Sequence, residues 1–338
     1  FIINFTFVKI FLLHLYLKPL IISKMKRLNL IVCAALAIAA AASCDKDPVD
    51  FPIVGDLTLS ASYNNYVHGD QGWIEKDALG VFVTSDGVAQ NNLQYAPSAF
   101  CPLVPNKYVP EMSSYDDDKA VTETTVLNAK GEKAGFKQGV HNIYVYTPYV
   151  ASATDHKAVP MPDLTKQTGS NSVYGLFQPD PSYLFAYAAK EVKEYSAAAV
   201  DLGEMTPMYC QMTLMSPEFA DTFVGKKVTK ITVSANVDIA ATANSTFNFE
   251  TKKIEGEMSK TVELTGIPAD GWEIAAGYFG AGYGETVYVV LNIDFETGLN
   301  TEFTFTFTID GTEYTAKAKP SATMSSDGNL NMYGALKL

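Results

Sequence analysis

The sulfur atoms are the first candidates for chemistry. Met205, Met208, Cys210, Met212 and Met215 crowd the stretch "MTPMYCQMTLM", and thioethers beside a thiolate form a ligand set suited to Cu(I). On a strand, however, Met208, Cys210, Met212 and Leu214 fall on one face at period two. That is the pattern of a core strand in which methionine fills irregular gaps, and it is the reading adopted. Asp116, Asp117 and Asp118 could attract calcium, but consecutive aspartates point to different sides and lack the alternating ligands and glycine of a calcium loop. They read as a solvated loop. Gly277, Gly280, Gly282 and Gly284 have the density of a dinucleotide loop, yet a strand follows instead of a helix, and no Lys-Ser/Thr pair accompanies them. His68, His141 and His156 stand too far from any second ligand for a zinc site. Neither G-x-S-x-G nor H-E-x-x-H occurs, and nothing singles out a glycosidase pair among the many carboxylates. The residues point to no enzyme, no metal and no cofactor.

One further cysteine has a chemistry of its own. In "MKRLNLIVCAALAIAAAASCDKDP" (25–48) a basic start leads into 16 uncharged residues, Leu28 to Ser43, that end on small side chains. That run is short for a bilayer core, which needs ~20 apolar residues, and it has the parts of a secretory signal. Cys33 follows bulky Leu-Ile-Val, whereas Cys44 follows Ala41-Ala42-Ser43. The second context resembles a lipobox, where cleavage leaves the cysteine as a lipidated first residue. Asp45 and Asp47 around Lys46 resemble the surface-export signal of Bacteroidetes lipoproteins. Residues 1–43, including the apolar but lysine-interrupted stretch before Met25, are therefore set aside as upstream residues and signal peptide. Residues 44–50 form a lipidated linker, and the expected location is the outer membrane or cell surface.

Charge narrows the partners. All 37 acidic residues follow Cys44, against 20 of the 25 basic ones, which leaves the mature chain at −17. So acidic a surface repels nucleic acid and anionic headgroups. Arg27 is the sole arginine, so no site after Cys44 rests on a bidentate guanidinium. Cys101 and Cys210 could form an exported protein's disulfide or remain two buried thiols; spacing alone does not choose.

The elements that would position any site are strands. Runs of five to nine residues broken by Gly, Pro, Asn and Asp recur at 78–85, 142–149, 227–235, 245–250 and 286–296. In "EFTFTFTIDGTEYTAKA" (302–318), Phe303, Phe305, Phe307 and Ile309 alternate with threonines, and Asp310-Gly311 supplies a tight two-residue turn. One buried and one wet face indicate an all-β sandwich. Short helices are expected around Pro181–Ala189 and Pro217–Phe223. The stretches 115–119, 163–172 and 191–204 read as loops or linkers, the last dividing an N-terminal half, 51–200, from a C-terminal half, 201–338.

Several segments carry a family resemblance. "LSASY…HGDQGWIEKDALGVFVTS" (59–85), "HNIYVYTPYV" (141–150), "YLFAYA" (183–188) and "KVTKITVSAN" (227–236) follow in the order found in the fimbrillin-like superfamily of Bacteroidetes lipoproteins, whose members build type V pili. The chain departs from many members at "MYCQMTLM", where they carry a His or Arg. The resemblance implies two tandem transthyretin-like β-sandwich domains and assembly with other pilus subunits by strand exchange. In that scheme a protease removes the first strand of a lipidated precursor, and the C-terminal strand of another subunit fills the groove. In "LNMYGALKL" (330–338), Leu330, Met332, Gly334, Leu336 and Leu338 share one face, as an added strand requires; a strand pairing in its own sheet shows the same alternation. Family stalk subunits are matured by an arginine-specific protease, which finds no site after Cys44. Either a different protease, for instance one acting at lysine, matures the chain, or it stays lipidated as an anchor or accessory subunit. The expected role is a fimbrial subunit, anchor or accessory, tethered to the outer membrane by the Cys44 lipid and at most adhesive. The alternative is a glycan-binding surface lipoprotein whose aromatic platform draws on Trp73, Trp272 and the 19 tyrosines.

Overall fold

The phenylalanine–threonine alternation folds as it reads. In the computed structural model, Phe303–Ile309 alternates buried and half-buried residues along its whole length and pairs antiparallel with Thr312–Ala318. Asp310 and Gly311 turn the chain with φ of 47° and 79°, the doubly left-handed geometry that matches strand twist in a two-residue hairpin. The structure describes residues 53–63, 73, 77–85, 88–98, 125–131, 135–137, 141–172, 175–193, 199–216, 222–274, 285–320 and 330–333. Cys44, Cys101, Asp116–Asp118, Gly277–Gly284, Leu336 and Leu338 lie outside them. The described architecture is nearly all β, and most of it belongs to two sheets.

The first sheet has eight strands, in the order Val200–Glu204, Leu59–Ser62, Thr125–Ala129, Val88–Pro97, Leu79–Ser85, His141–Thr147, Ala186–Val192 and Thr206–Pro207. Its first and last members are separated in sequence by Met205 alone, so the stretch 200–207 ties both edges of the sheet together. The sheet curls around a core that includes Leu59, Ala61, Leu79, Val81, Tyr95, Leu127, Ile143, Val145 and Met205. These are the alternate, apolar positions of each strand, as period two dictates.

The second sheet is a long path: Thr312–Ala318, Phe303–Ile309, Lys227–Ala235, Thr261–Thr265, Lys166–Ser172, Gly175–Pro179, Glu285–Leu291, Cys210–Ser216 and Leu330–Tyr333, with Trp272–Glu273 paired beside Lys227–Ala235. Phe303, Phe305, Phe307, Ile231 and Val233 from one arm share a core with Cys210, Met212, Val287, Val289 and Leu291 from the other. The path therefore bends until its arms face each other as a sandwich. Each fully buried phenylalanine removed from water contributes roughly 2–3 kcal/mol.

A third, aromatic core sits on the far face of the first sheet. Phe82, Tyr146 and Tyr187 meet Phe247 of a small three-stranded sheet, Val159–Pro160, Thr246–Asn248 and Lys253–Glu255, and Phe249 just beyond its middle strand. Tyr187 and Phe247 stand 4.6 Å apart, and Phe247 and Phe249 pack edge to face at 5.1 Å, in the offset geometries that ring quadrupoles favour. The chain visits the sheets alternately: residues 166–179 join the second sheet, 186–207 the first, and 210–216 the second again.

Several local expectations are corrected. The helix foreseen at Pro181–Ala189 is a single 3-10 turn, Pro181–Tyr183, followed by the strand Ala186–Val192. Two stretches read as loops carry the strands Lys166–Ser172 and Val200–Glu204. The strand expected over 286–296 stops at Leu291, and a helix, Phe295–Asn300, follows. Asp294 caps that helix by accepting from Thr297 N at 3.0 Å, the role that aspartate takes at helix starts. Most of Pro217–Phe223 lies outside the described residues.

Candidate functional site

Two strands define the candidate site: the last among the described residues, and the first one of the eight-stranded sheet. The C-terminal strand, Leu330–Tyr333, lies on the edge of the second sheet and runs parallel to the methionine strand, Cys210–Ser216. Leu330 stands opposite Met212, Asn331 opposite Thr213, Met332 opposite Leu214 and Tyr333 opposite Met215. On its other side the methionine strand is paired antiparallel with Glu285–Leu291 through all seven residues, Cys210 opposite Leu291 and Ser216 opposite Glu285. The contrast matters energetically. Parallel pairing is slightly weaker per residue than antiparallel, and among the described residues this strand is paired on one side only.

Ile53–Asp56 pairs antiparallel with Gly135–Lys137 in a separate two-stranded sheet. The first strand of the eight-stranded sheet is Leu59–Ser62, and it is held on both sides. Thr125–Ala129 pairs with it antiparallel, Leu59 opposite Leu127, and Val200–Glu204 pairs with it parallel, Leu59 opposite Val200. Val200 N donates to Thr58 O at 2.8 Å and Met205 N donates to Ser62 O at 2.9 Å, which continues the ladder past the strand ends. All four residues are buried. Leu57, Leu59, Ala61 and Tyr63 all enter the first core.

Trp73 fastens this strand from the side. Its Nε1 donates to Ala61 O at 3.1 Å, and its ring packs 5.0 Å from that of Tyr63. The Tyr63 hydroxyl in turn donates to Leu184 O at 3.4 Å. Burial, reinforced by the neighbouring Tyr209 hydroxyl and Asp77, pushes Tyr63 well above the ordinary phenol range, so the hydroxyl stays protonated and keeps donating. Trp73 is 3% exposed and presents no face to a sugar. Trp272 is half-buried against the second core, 6.0 Å from Phe177.

The described sulfur side chains do not converge. Met205 belongs to the first core, Cys210 and Met212 to the second, and Met208 packs on the aromatic core. Among the described residues no group of His, Cys, Asp and Glu is arranged to hold a metal ion. His141 is fully buried in its strand, and the His156 ring stacks on Tyr144 at 4.6 Å, nearly parallel. Of the proposed donor residues, Leu330 and Met332 lie in the C-terminal strand. No helix among the described residues is long and apolar enough to cross a membrane.

Sequence reasoning missed Gln167, whose amide bonds the backbone of Val290 inside the second core. A lone glutamine in "DLTKQTGSNS" gave no periodicity by which to find it.

The arrangement suits strand addition. Among the described residues Leu330–Tyr333 is paired on one side and Leu59–Ser62 on both, and strand addition acts at sheet edges and through alternating apolar pockets.

No protein family profile matches the sequence, and no curated protein matches it. Solved structures do. The chain is similar to a protein of Bacteroides uniformis with a proposed role in cell adhesion, with a TM-score of 0.45 and 12% identity over 84% of this chain and 90% of that one. It is similar to a second such protein, from Bacteroides ovatus, with a TM-score of 0.42 and 13% identity over 78% and 85%. It is also similar to a fimbrial assembly protein of Parabacteroides distasonis, with a TM-score of 0.33 and 12% identity over 80% and 93%.

Proposed function

We propose that this chain is a non-enzymatic fimbrial subunit of the anchor type, held at the cell surface by a lipid on Cys44, that donates its C-terminal strand to a neighbouring subunit. The observation that carries this reading is a match between its two candidate strands. The C-terminal stretch "LNMYGAL" (330–336) and the stretch "LTLSASY" (57–63), which contains the first strand of the eight-stranded sheet, match in alternation and in size. Leu330 takes the place of Leu57, Met332 of Leu59, Gly334 of Ala61 and Leu336 of Tyr63. The one small residue falls on the one small residue, and reversing the direction destroys that agreement by setting Gly334 against Leu59. A slot of the kind that Leu59–Ser62 occupies is therefore suited to a strand with this sequence, with main-chain hydrogen bonds giving affinity and the alternating pockets giving register.

The missing arginine assigns the direction of transfer. With no arginine after Cys44, arginine-specific trimming has no site, and Leu59–Ser62 stays in its sheet under Trp73. Such a chain donates a strand and accepts none, which is the property of a subunit that ends the polymer at the membrane.

Deleting residues 324–338 tests the donation. Membrane-extracted chain is expected to lose its co-purifying subunits while its circular dichroism and thermal transition persist. Unchanged assembly with an intact fold overturns the reading. Mass spectrometry of the N-terminus tests the tether: lipid on Cys44 with residues 44–63 retained is expected, and a surface form trimmed past Ser62 overturns the anchor role.

A further inference from the structure

The opposite end of the second sheet carries a pattern that the C-terminal strand does not explain. Thr312–Ala318 pairs with Phe303–Ile309 on one side only, and among the described residues no strand pairs on its other side. Which of its backbone groups face that open side follows from the turn. The two-residue loop Asp310-Gly311 makes Ile309 and Thr312 a hydrogen-bonded pair, and antiparallel pairs alternate. Tyr314 and Ala316 therefore bond inward to Phe307 and Phe305. Glu313, Thr315 and Lys317 turn their N–H and C=O groups outward. The 3.5 Å contact between the Thr306 and Thr315 hydroxyls fits this assignment, because side chains approach most closely at non-hydrogen-bonded pairs.

Two of the three residues with outward backbone groups, Glu313 and Lys317, are the strand's only charged residues. We propose that this edge is a self-pairing surface, on which a second copy of this chain adds its own Thr312–Ala318 strand antiparallel across a two-fold axis at Thr315. Glu313 then stands opposite Lys317 of the second copy, and Lys317 opposite its Glu313. Thr315 faces itself. The three outward residues of each copy supply six main-chain hydrogen bonds, and the two charge pairs close with the same symmetry.

A lysine and a glutamate on an edge ordinarily prevent addition of an arbitrary strand. Here the same charges reject strands of other sequence or register and complement one arrangement, the homotypic one. Lys317 Nζ rests 3.0 Å from Glu302 Oε1 with both side chains exposed, a surface pair worth little, so the lysine is available to a second carboxylate. On the core side Tyr314 meets Ala316 of the other copy, large against small. Pairing one strand buries less than the ~1,200 Å² of a durable interface, so the dimer is weak, with a dissociation constant on the order of 100 µM. Molecules tethered side by side on one membrane experience a far higher effective concentration.

Sedimentation equilibrium of the full chain and of charge variants tests this. Glu313→Lys and Lys317→Glu, each alone, place like charges opposite each other twice and are expected to weaken dimerisation roughly tenfold or more. The double variant Glu313→Lys/Lys317→Glu restores two opposite-charge pairs and is expected to regain the parent dissociation constant. Removing residues 330–338 is expected to leave this equilibrium in place, which separates it from strand donation. A chain that stays monomeric at ~1 mM, single reversals without effect, or a double variant no better than the singles overturns the proposal.

Discussion

The side-chain amide of Gln167 is bonded to the backbone of Val290 in both directions. Nε2 donates to Val290 O at 2.6 Å, and Oε1 accepts from Val290 N at 3.0 Å. Nε2 also donates to Leu164 O at 3.2 Å, and both Gln167 and Val290 are fully buried. The strand beside Glu285–Leu291 on this side, Gly175–Pro179, meets it at Phe177 opposite Val287. At Val290 a side chain supplies what a neighbouring strand's backbone would otherwise supply. This holds together the bend at which the two arms of the second sheet turn toward each other.

Gln167→Leu keeps the volume and removes the bonds. It leaves the Val290 N–H and C=O buried with no partner from this side chain, each at a cost of roughly 1–3 kcal/mol. The expected loss is about 2–5 kcal/mol, read as a shifted urea midpoint at unchanged slope. A midpoint within error of the parent would show that the clasp contributes nothing.

Gly80→Ala tests the packing between the first sheet and the aromatic core. A Cβ at Gly80 would lie 2.1 Å from Tyr146 Cε1. Tyr146 cannot withdraw, because its hydroxyl donates to Asn92 Oδ1 at 2.7 Å and its ring stacks between Phe82 and Phe185 at 5.9 Å from each. Overpacking of this kind costs about 3 kcal/mol. Gly80→Ala is expected to lower the melting temperature markedly, and Gly80→Ala/Tyr146→Phe is expected not to rescue it, since the clash is with the ring. Recovery in the double variant would assign the cost to the hydroxyl network instead.

His156 makes the aromatic core sensitive to acid. Its ring stacks on Tyr144, with Asp155 Oδ1 at 3.4 Å and Glu250 Oε1 at 3.9 Å, while Lys157 occupies Glu250 at 2.8 Å. Burial holds the imidazole below its ordinary range, the Lys157 charge adds to that, and the two carboxylates oppose it. The unfolded chain therefore takes up this proton first. The contribution to stability is complete above the unfolded value of about 6.5 and is lost as pH falls from there toward the depressed folded value. His156→Phe preserves the stack without the proton. Its melting temperature is expected to fall less between pH 7.5 and 5 than that of the parent, and an equal fall would remove His156 from the acid response.

The strands with strict alternation were legible because burial on one face leaves a period-two record. Phe303–Ile309 and Lys227–Ala235 sit where the pattern set them. Lys166–Ser172, between two neighbours, and Val200–Glu204, on an edge, were not legible, because each is rich in polar residues and is held by its backbone bonds more than by an apolar face. The assignment of Met205, Met208, Cys210 and Met212 to a copper site or a core strand turned on a different limit. Period two places Cys210 and Met212 together, but no one-dimensional pattern foretells that Met205 and Met208 enter two other cores. The C-terminal alternation was visible, whereas its partner was not: parallel pairing with residues 212–215 is set by a crossover that leaves no local signal.

The size match between the two candidate strands supports a substitution that separates folding from donation. Gly334 corresponds to Ala61, which is fully buried with its carbonyl bonded to Trp73. A slot shaped for alanine excludes leucine, because interiors pack at crystal density and an added branched side chain displaces its neighbours. Gly334→Leu raises the apolar content of the donated strand, so simple hydrophobic association would strengthen under it. Shape-selected donation predicts the reverse: membrane-extracted Gly334→Leu chain is expected to lose its co-purifying subunits while its own thermal transition is unchanged. Gly334→Ala, which reproduces the residue found in the first strand, is expected to retain them. Equal or greater recovery of subunits with leucine would show that the strand is not read by size, and the correspondence between 330–336 and 57–63 would then carry no meaning for assembly.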